Sequence, residues 1–106
     1  MNFSHLDDMK LGWFVGDFTP NILQSKDVEV GVKYYQAGDE EARHVHKVAT
    51  EITVVVSGTV KMCDREFPQG SIIVLEPGDP TAFSAITDAV TVVVKSPSVA
   101  GDKYVL

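Results

Sequence analysis

From residue 28 onward, apolar and polar residues alternate in short runs, the period of strands and not of helices. The run Val28-Glu29-Val30-Gly31-Val32-Lys33-Tyr34-Tyr35-Gln36 sets Val28, Val30, Val32, Tyr34 and Gln36 on one face, read here as the inward one. Gly38-Asp39-Glu40-Glu41 turns the chain into a strand that carries His44 and His46, and Ile52-Thr53-Val54-Val55-Val56 forms the next strand. Ser57-Gly58 predicts a tight hairpin to Val60-Lys61-Met62. Turns at Asp64-Arg65, Pro68-Gln69-Gly70 and Pro77-Gly78-Asp79-Pro80 delimit further strands at Ser71–Leu75, Ala82–Ala85 and Ala89–Lys95. Short strands at near-regular spacing predict an all-β sandwich or barrel with no helix of normal length. Residues 1–27, with Trp13, Phe14 and Phe18, form an arm that covers one end of the barrel or packs on a second subunit. Residues 28–95 form the barrel core, and residues 96–106 leave it at Pro97 to wrap the barrel or an adjacent protomer.

A chain of 106 residues makes one domain. It buries only about 60–65% of its unfolded surface, so closure into a barrel or a partner subunit would add stability. Hydrophobic residues at 44% and charged residues at 23% argue against disorder. The formal charge of −6, with no run of Lys or Arg, argues against nucleic acid and anionic membranes as partners. The longest apolar run, Ile72-Ile73-Val74-Leu75, is far too short to span a bilayer. The first residues lack the basic and apolar regions of a signal peptide, and Cys63, the only cysteine, forms no internal disulfide, so a cytoplasmic location is expected.

The histidines bring chemistry into this frame. On a strand, His44 and His46 project from the same side, and Glu51 opens the next strand, able to bring a carboxylate to the same point. Two imidazoles and one carboxylate suit a divalent transition metal such as Fe, Mn or Zn, and coordination offsets the cost of burying imidazoles without partners. A metal-free pocket is the alternative. Tyr34, Gln36, Thr53 and Phe83 are expected to line the surroundings of the ion, a thin scatter of polar groups suited to a small polar ligand. Lys47 points away from it, His5 has no motif context, and Glu40, Glu41 and Arg43 read as solvated charges beside the turn. Asp79 reads as a plain turn residue between Gly78 and Pro80.

The spacing Gly38, His44, His46, Glu51, Gly58 resembles the first motif of the cupin superfamily, G-x5-H-x-H-x4-E-x6-G, at every position. Gly70 to Gly78 resembles the glycine, strand and Pro-Gly turn of the second motif, but Thr81 stands where that motif places its last metal ligand. The resemblance covers about residues 28–95. It implies a cupin-type jelly-roll β-barrel, a divalent metal (Fe, Mn, Ni or Zn) on His44, His46 and Glu51, and a homodimer built by strand or tail exchange. His46–Glu51 and Ser98–Tyr104 look like small cupins associated with sugar metabolism, which implies a carbohydrate or small organic acid as ligand. Three functions stay open: a metal-dependent enzyme, a non-catalytic small-molecule binder, and a metal-free enzyme using a histidine as base with Tyr34 as acid.

Overall fold

Short β-branched runs, cut by glycine and proline turns, produce eleven strands in the computed structural model, which describes residues 1–106. They are β1 (Trp13–Gly16), β2 (Leu23–Gln24), β3 (Glu29–Tyr35), β4 (Glu40–Val45), β5 (Thr50–Ser57), β6 (Val60–Met62), β7 (Arg65–Phe67), β8 (Ile72–Leu75), β9 (Thr81–Ala85), β10 (Ala89–Ser96) and β11 (Tyr104–Val105). The one helical segment is a 3₁₀ turn at Leu6–Asp8. A six-stranded sheet in the order β2-β1-β3-β10-β5-β8 faces a five-stranded sheet in the order β11-β4-β9-β6-β7. No helix is long and apolar enough to cross a membrane.

The expected hairpin at Ser57-Gly58 does not form. β5 belongs to the first sheet and β6 to the second, so this turn carries the chain around a corner of the barrel. Gly58 makes the corner possible: its φ is +81°, and a Cβ there would lie 2.1 Å from the Asp88 carbonyl oxygen. The hairpin falls one step later, between β6 and β7. Cys63 and Asp64 form its tip with φ of 52° and 59°, the double positive φ that a two-residue turn with the right twist demands.

The larger sheet is polar inside and apolar outside at one end. Strand register places Glu51, Lys95 and Glu29 in one inward row, Thr53, Val93 and Gly31 in the next, and Val55, Thr91 and Lys33 in a third. Outward positions are Val30, Val32 and Tyr34 on β3, Val90, Val92 and Val94 on β10, Ile52, Val54 and Val56 on β5, and Ile72 and Val74 on β8. None is charged, and Tyr34, Ile72 and Val74 are exposed. The apolar core proper lies toward the other end, where Val55, Val60, Met62, Ile73, Phe83 and Ala85 pack with Tyr35 and Phe67 against them.

Both terminal segments pack on this chain's own barrel. β1 pairs with β3, and the Trp13 ring rests on Gly31, where any Cβ would come within 2.7 Å of the ring. The Lys33 and Lys95 ammonium groups lie 4.8 and 4.9 Å from the Trp13 ring centroid, a cation–π arrangement. At the other terminus, β11 pairs with the histidine strand, Tyr104 opposite Val45 and Val105 opposite His44.

Candidate functional site

A β-bulge decides what the histidine strand turns inward. Between Glu41, opposite Phe83, and His44, opposite Thr81, β4 uses one residue more than β9. Plain alternation back from His44 would send Ala42 inward. The extra residue sends Glu41 there instead, onto the face shared by His44 and His46. Glu51, at the start of β5, approaches from the facing sheet: its Oε2 lies 3.6 Å from His46 Nε2, with the two side chains only 12% and 6% exposed. The His44 and His46 rings stand edge to face, 5.2 Å between centroids. His46 and Glu51 are thus at ligand spacing, with His44 one ring away. No three His, Cys, Asp or Glu side chains are gathered closely enough here to hold a metal ion as they stand; only His46 and Glu51 are at that spacing.

Hydrogen bonds specify the state of both imidazoles. His44 Nδ1 lies 2.8 Å from the Ala42 carbonyl oxygen, and His46 Nδ1 meets the Asp102 carbonyl oxygen. A carbonyl oxygen only accepts, so each Nδ1 carries a proton, and in the neutral ring each Nε2 is left with its lone pair. His46 Nε2 is buried and has no hydrogen-bond partner. A bare lone pair facing a carboxylate in a buried site is unfavourable without a cation between them. The 3.6 Å gap is too long for a hydrogen bond, but two donors each about 2.0–2.2 Å from one tetrahedral ion would have roughly that separation. The chemistry of these donors therefore fits a divalent metal.

Beside the pair lies a cavity of about 30 Å³ bounded by Tyr35, Glu41, His44, Glu51 and three threonines, Thr53, Thr81 and Thr91. Met62 and Phe83 close its apolar side. The Thr91 hydroxyl is buried and unpaired, an open polar group in this wall. A water needs about 10–15 Å³, so the space suits an ion with one or two waters and excludes a sugar ring. A groove of about 440 Å³ on the second sheet shares Glu41, Met62, Thr81 and Phe83 with the cavity, and it is large enough for such a ring.

Tyr34 and Gln36 do not line the site. Tyr34 is 71% exposed on the apolar outer face, and Gln36 is exposed in a turn where its N–H donates to the Asp39 carboxylate. The alternation of β3 is real, but its apolar set points outward and its polar set inward, so the inward tyrosine is Tyr35. Its hydroxyl donates to Glu41 Oε1 at 3.3 Å, and its ring lies 4.4 Å from that of Phe83. Burial, with the Glu41 charge beside it, raises the Tyr35 pKa and keeps the phenol protonated. Glu41, read from the sequence as a solvated charge, thus belongs to the site; no local sequence signal marks the bulge that delivers it. Thr53, Thr81 and Phe83 do border the cavity, but the Thr81 hydroxyl is already engaged. It accepts from Cys63 N–H at 3.1 Å and donates to the Ala82 carbonyl at 2.7 Å. Asp79 accepts from Glu76 N–H inside its own turn.

Solved structures share this architecture. An uncharacterised conserved protein with a double-stranded β-helix domain from Klebsiella pneumoniae superposes with a TM-score of 0.69 at 25% identity, over 76% of this chain and 71% of that one. An RmlC-like cupin from Desulfovibrio desulfuricans gives 0.63 at 23% identity, over 71% and 76%. The fold is that of the cupins. A mutant of Bacillus subtilis oxalate decarboxylase shares the cupin barrel at a TM-score of 0.65 and 17% identity; the match covers 77% of this chain but 25% of that longer one. No family model matches the chain, and no curated protein does.

Proposed function

We propose that this cupin barrel binds a divalent metal through His44, His46 and Glu51 and acts on a small polar molecule, a sugar or a small organic acid, seated in the groove that adjoins the inner cavity. The observation that carries the reading is the bare, buried His46 Nε2 aimed at the Glu51 carboxylate. A bound divalent ion would supply Lewis-acid or, for iron, redox chemistry. The chain's own contribution is a set of protonation states. Glu41 is a residue of both the inner cavity and the outer groove, and Tyr35 donates to its carboxylate while keeping its own proton. Glu41 is therefore placed to accept a proton from a group that reaches the inner cavity. That the same barrel carries an oxalate decarboxylase agrees with a catalytic role.

The test is elemental analysis of protein purified without added metal and after loading with Fe(II), Mn(II), Ni(II) or Zn(II), beside a His44→Ala/His46→Ala control. Stoichiometric metal in the wild type and none in the control is the expected result. No metal in either protein after loading would overturn the reading. A second reading, a metal-free or non-catalytic carbohydrate binder, draws support from Thr81, whose hydroxyl is committed to the backbone and leaves the ligand set one group short. Sugar binding that persists unchanged under EDTA would favour it.

We also propose that two copies associate through the outer face of β3, β10, β5 and β8. The outer face of these strands is a run of valines and isoleucines with Tyr34, Ile72 and Val74 exposed, an apolar surface that a partner would cover. A second copy is the occupant that suits this face. The chain carries a net charge of −6, yet no charged side chain stands at these positions, so a twofold pairing brings no like charges together. Val92→Glu, in the centre of the face, is expected to convert a dimer to a monomer by light scattering while leaving the barrel folded. A wild type that is monomeric at high micromolar concentration would refute the pairing.

A further inference from the structure

The C-terminal tail reaches the site at one residue, and does so twice. The Asp102 backbone carbonyl accepts from His46 Nδ1–H, while its carboxylate, in a residue only 7% exposed, accepts from the successive N–H groups of Lys47, Val48 and Ala49. The distances are 2.9 Å to Lys47 N, 3.2 Å to Val48 N and 2.9 Å to Ala49 N. Three consecutive N–H groups facing one anion form a concave anion cradle, and here the anion belongs to the chain itself. Burial alone raises the Asp102 pKa, but the N–H bonds from Ala49, Lys47 and Val48 outweigh it and hold the carboxyl below its ordinary range.

The surrounding tail is anchored on both sides of this residue. Ser98 Oγ accepts from Asp17 N–H at 2.9 Å and Ser98 N–H donates to the Lys26 carbonyl at 3.0 Å, which ties the tail to the N-terminal arm. Beyond Asp102, the Tyr104 ring lies 4.0 Å from Lys47 Nζ, and Leu106 N–H donates to the Arg43 carbonyl at 2.9 Å. The position of Asp102 is therefore determined independently of His46. Nothing else in the barrel accepts the His46 Nδ1 proton, and His46 itself is 5% exposed, so water is a poor substitute.

We infer that Asp102 is a positioning residue: its carboxylate locks the Lys47–Ala49 turn so that its carbonyl fixes His46 as the Nδ1–H tautomer and aims the bare Nε2 at Glu51. The carboxylate acts on the loop and the carbonyl on the ring. A partner on the far nitrogen of a ligating histidine is worth about 10–100-fold in metal affinity, so the tail contributes to a site to which it supplies no ligand. The consequence for metal rests on the proposed metal reading; the tautomer does not.

The two are separated by experiment on the full-length, metal-free, ¹⁵N-labelled chain. Long-range ¹H–¹⁵N correlation of the imidazoles is expected to show both His44 and His46 protonated on Nδ1. In Asp102→Ala, His46 is expected to become a mixture of tautomers while His44, whose partner is the Ala42 carbonyl, stays as it is. Asp102→Asn keeps an oxygen acceptor for the turn and is expected to restore the wild-type pattern. Mn(II) alone, titrated by calorimetry, is expected to bind about 10–100-fold more weakly to Asp102→Ala than to wild type. An Nε2–H tautomer at His46 in the wild type, or an unchanged tautomer in Asp102→Ala, overturns the inference. Loss of both histidine patterns in Asp102→Ala marks general loosening and also counts against it. The expected tautomer changes in a protein that takes no metal would uphold the positioning role and remove only the metal reading.

Discussion

Gly58→Ala is expected to cost about 4 kcal/mol or more and to lower the melting temperature by about 15–30 °C, at about 4–8 °C per kcal/mol for a domain of this size. Two separate penalties meet at this corner. With φ at +81°, a side chain is strained, worth about 1–2 kcal/mol by itself. The added methyl would also lie 2.1 Å from the Asp88 carbonyl oxygen and 2.9 Å from Ala89 Cα, both backbone atoms. They cannot yield cheaply, because Ile86 and Thr87 N–H groups donate to the Thr59 carbonyl and Thr59 N–H donates to Thr87 Oγ1. Gly70→Ala isolates the first penalty: φ is +91° there, but nothing lies within 4 Å of the added Cβ. Thermal denaturation followed by circular dichroism should show a small loss at Gly70 and a large one at Gly58. Equal losses would mean that the corner is not held by the contact with residues 86–89.

Gly58 also shows what a sequence can and cannot convey here. Glycine and proline positions marked where strands end, because φ preference is a local property, and most strand positions follow from them. They do not say which strand pairs with which. Ser57-Gly58 looks like a hairpin turn, yet the strands it joins lie in different sheets, since closing the barrel requires corners as well as hairpins. The period of β3 was equally legible and its direction was not. The rule that apolar residues face inward assumes that the outside is wet, and this sheet carries valines outside and Glu29, Lys33 and Tyr35 inside. Tyr34 and Tyr35 exchange roles for that reason. Glu41 was hidden by a bulge, which shifts the alternation by one residue without changing any residue type. Asp102 was hidden by distance along the chain: it acts on His46 from 56 positions away, a separation that no local pattern spans. The pair His44 and His46 and their approach to Glu51 were legible because alternation on a strand and the start of the next strand are short-range geometry.

Glu51→Gln is expected to move stability in opposite directions with and without metal. In the metal-free protein, the Glu51 carboxylate faces the lone pair of His46 Nε2 at 3.6 Å, and both groups are nearly buried. Lys95, opposite Glu51 on β10, does not neutralise it; its ammonium lies over the Trp13 ring instead. Glutamine has the same shape, removes the buried charge, and offers an N–H to the bare nitrogen. Satisfying a buried acceptor is worth about 1–3 kcal/mol, so the metal-free variant should melt several degrees above the wild type. With Mn(II) at about one hundred times its dissociation constant, the wild type should gain about 2.7 kcal/mol, whereas the variant, having lost its only anionic ligand, should gain much less. The curves should therefore approach or cross on adding metal. Melting both proteins in EDTA and in Mn(II) measures all four values. A variant less stable than the wild type in EDTA would mean that Glu51 already has a partner in the metal-free barrel. It would remove the unsatisfied pair on which the metal assignment rests. A variant more stable in EDTA and equally responsive to Mn(II) would keep the unsatisfied pair but take Glu51 out of the ligand set. The two histidines and Glu41 would then be the groups to vary next.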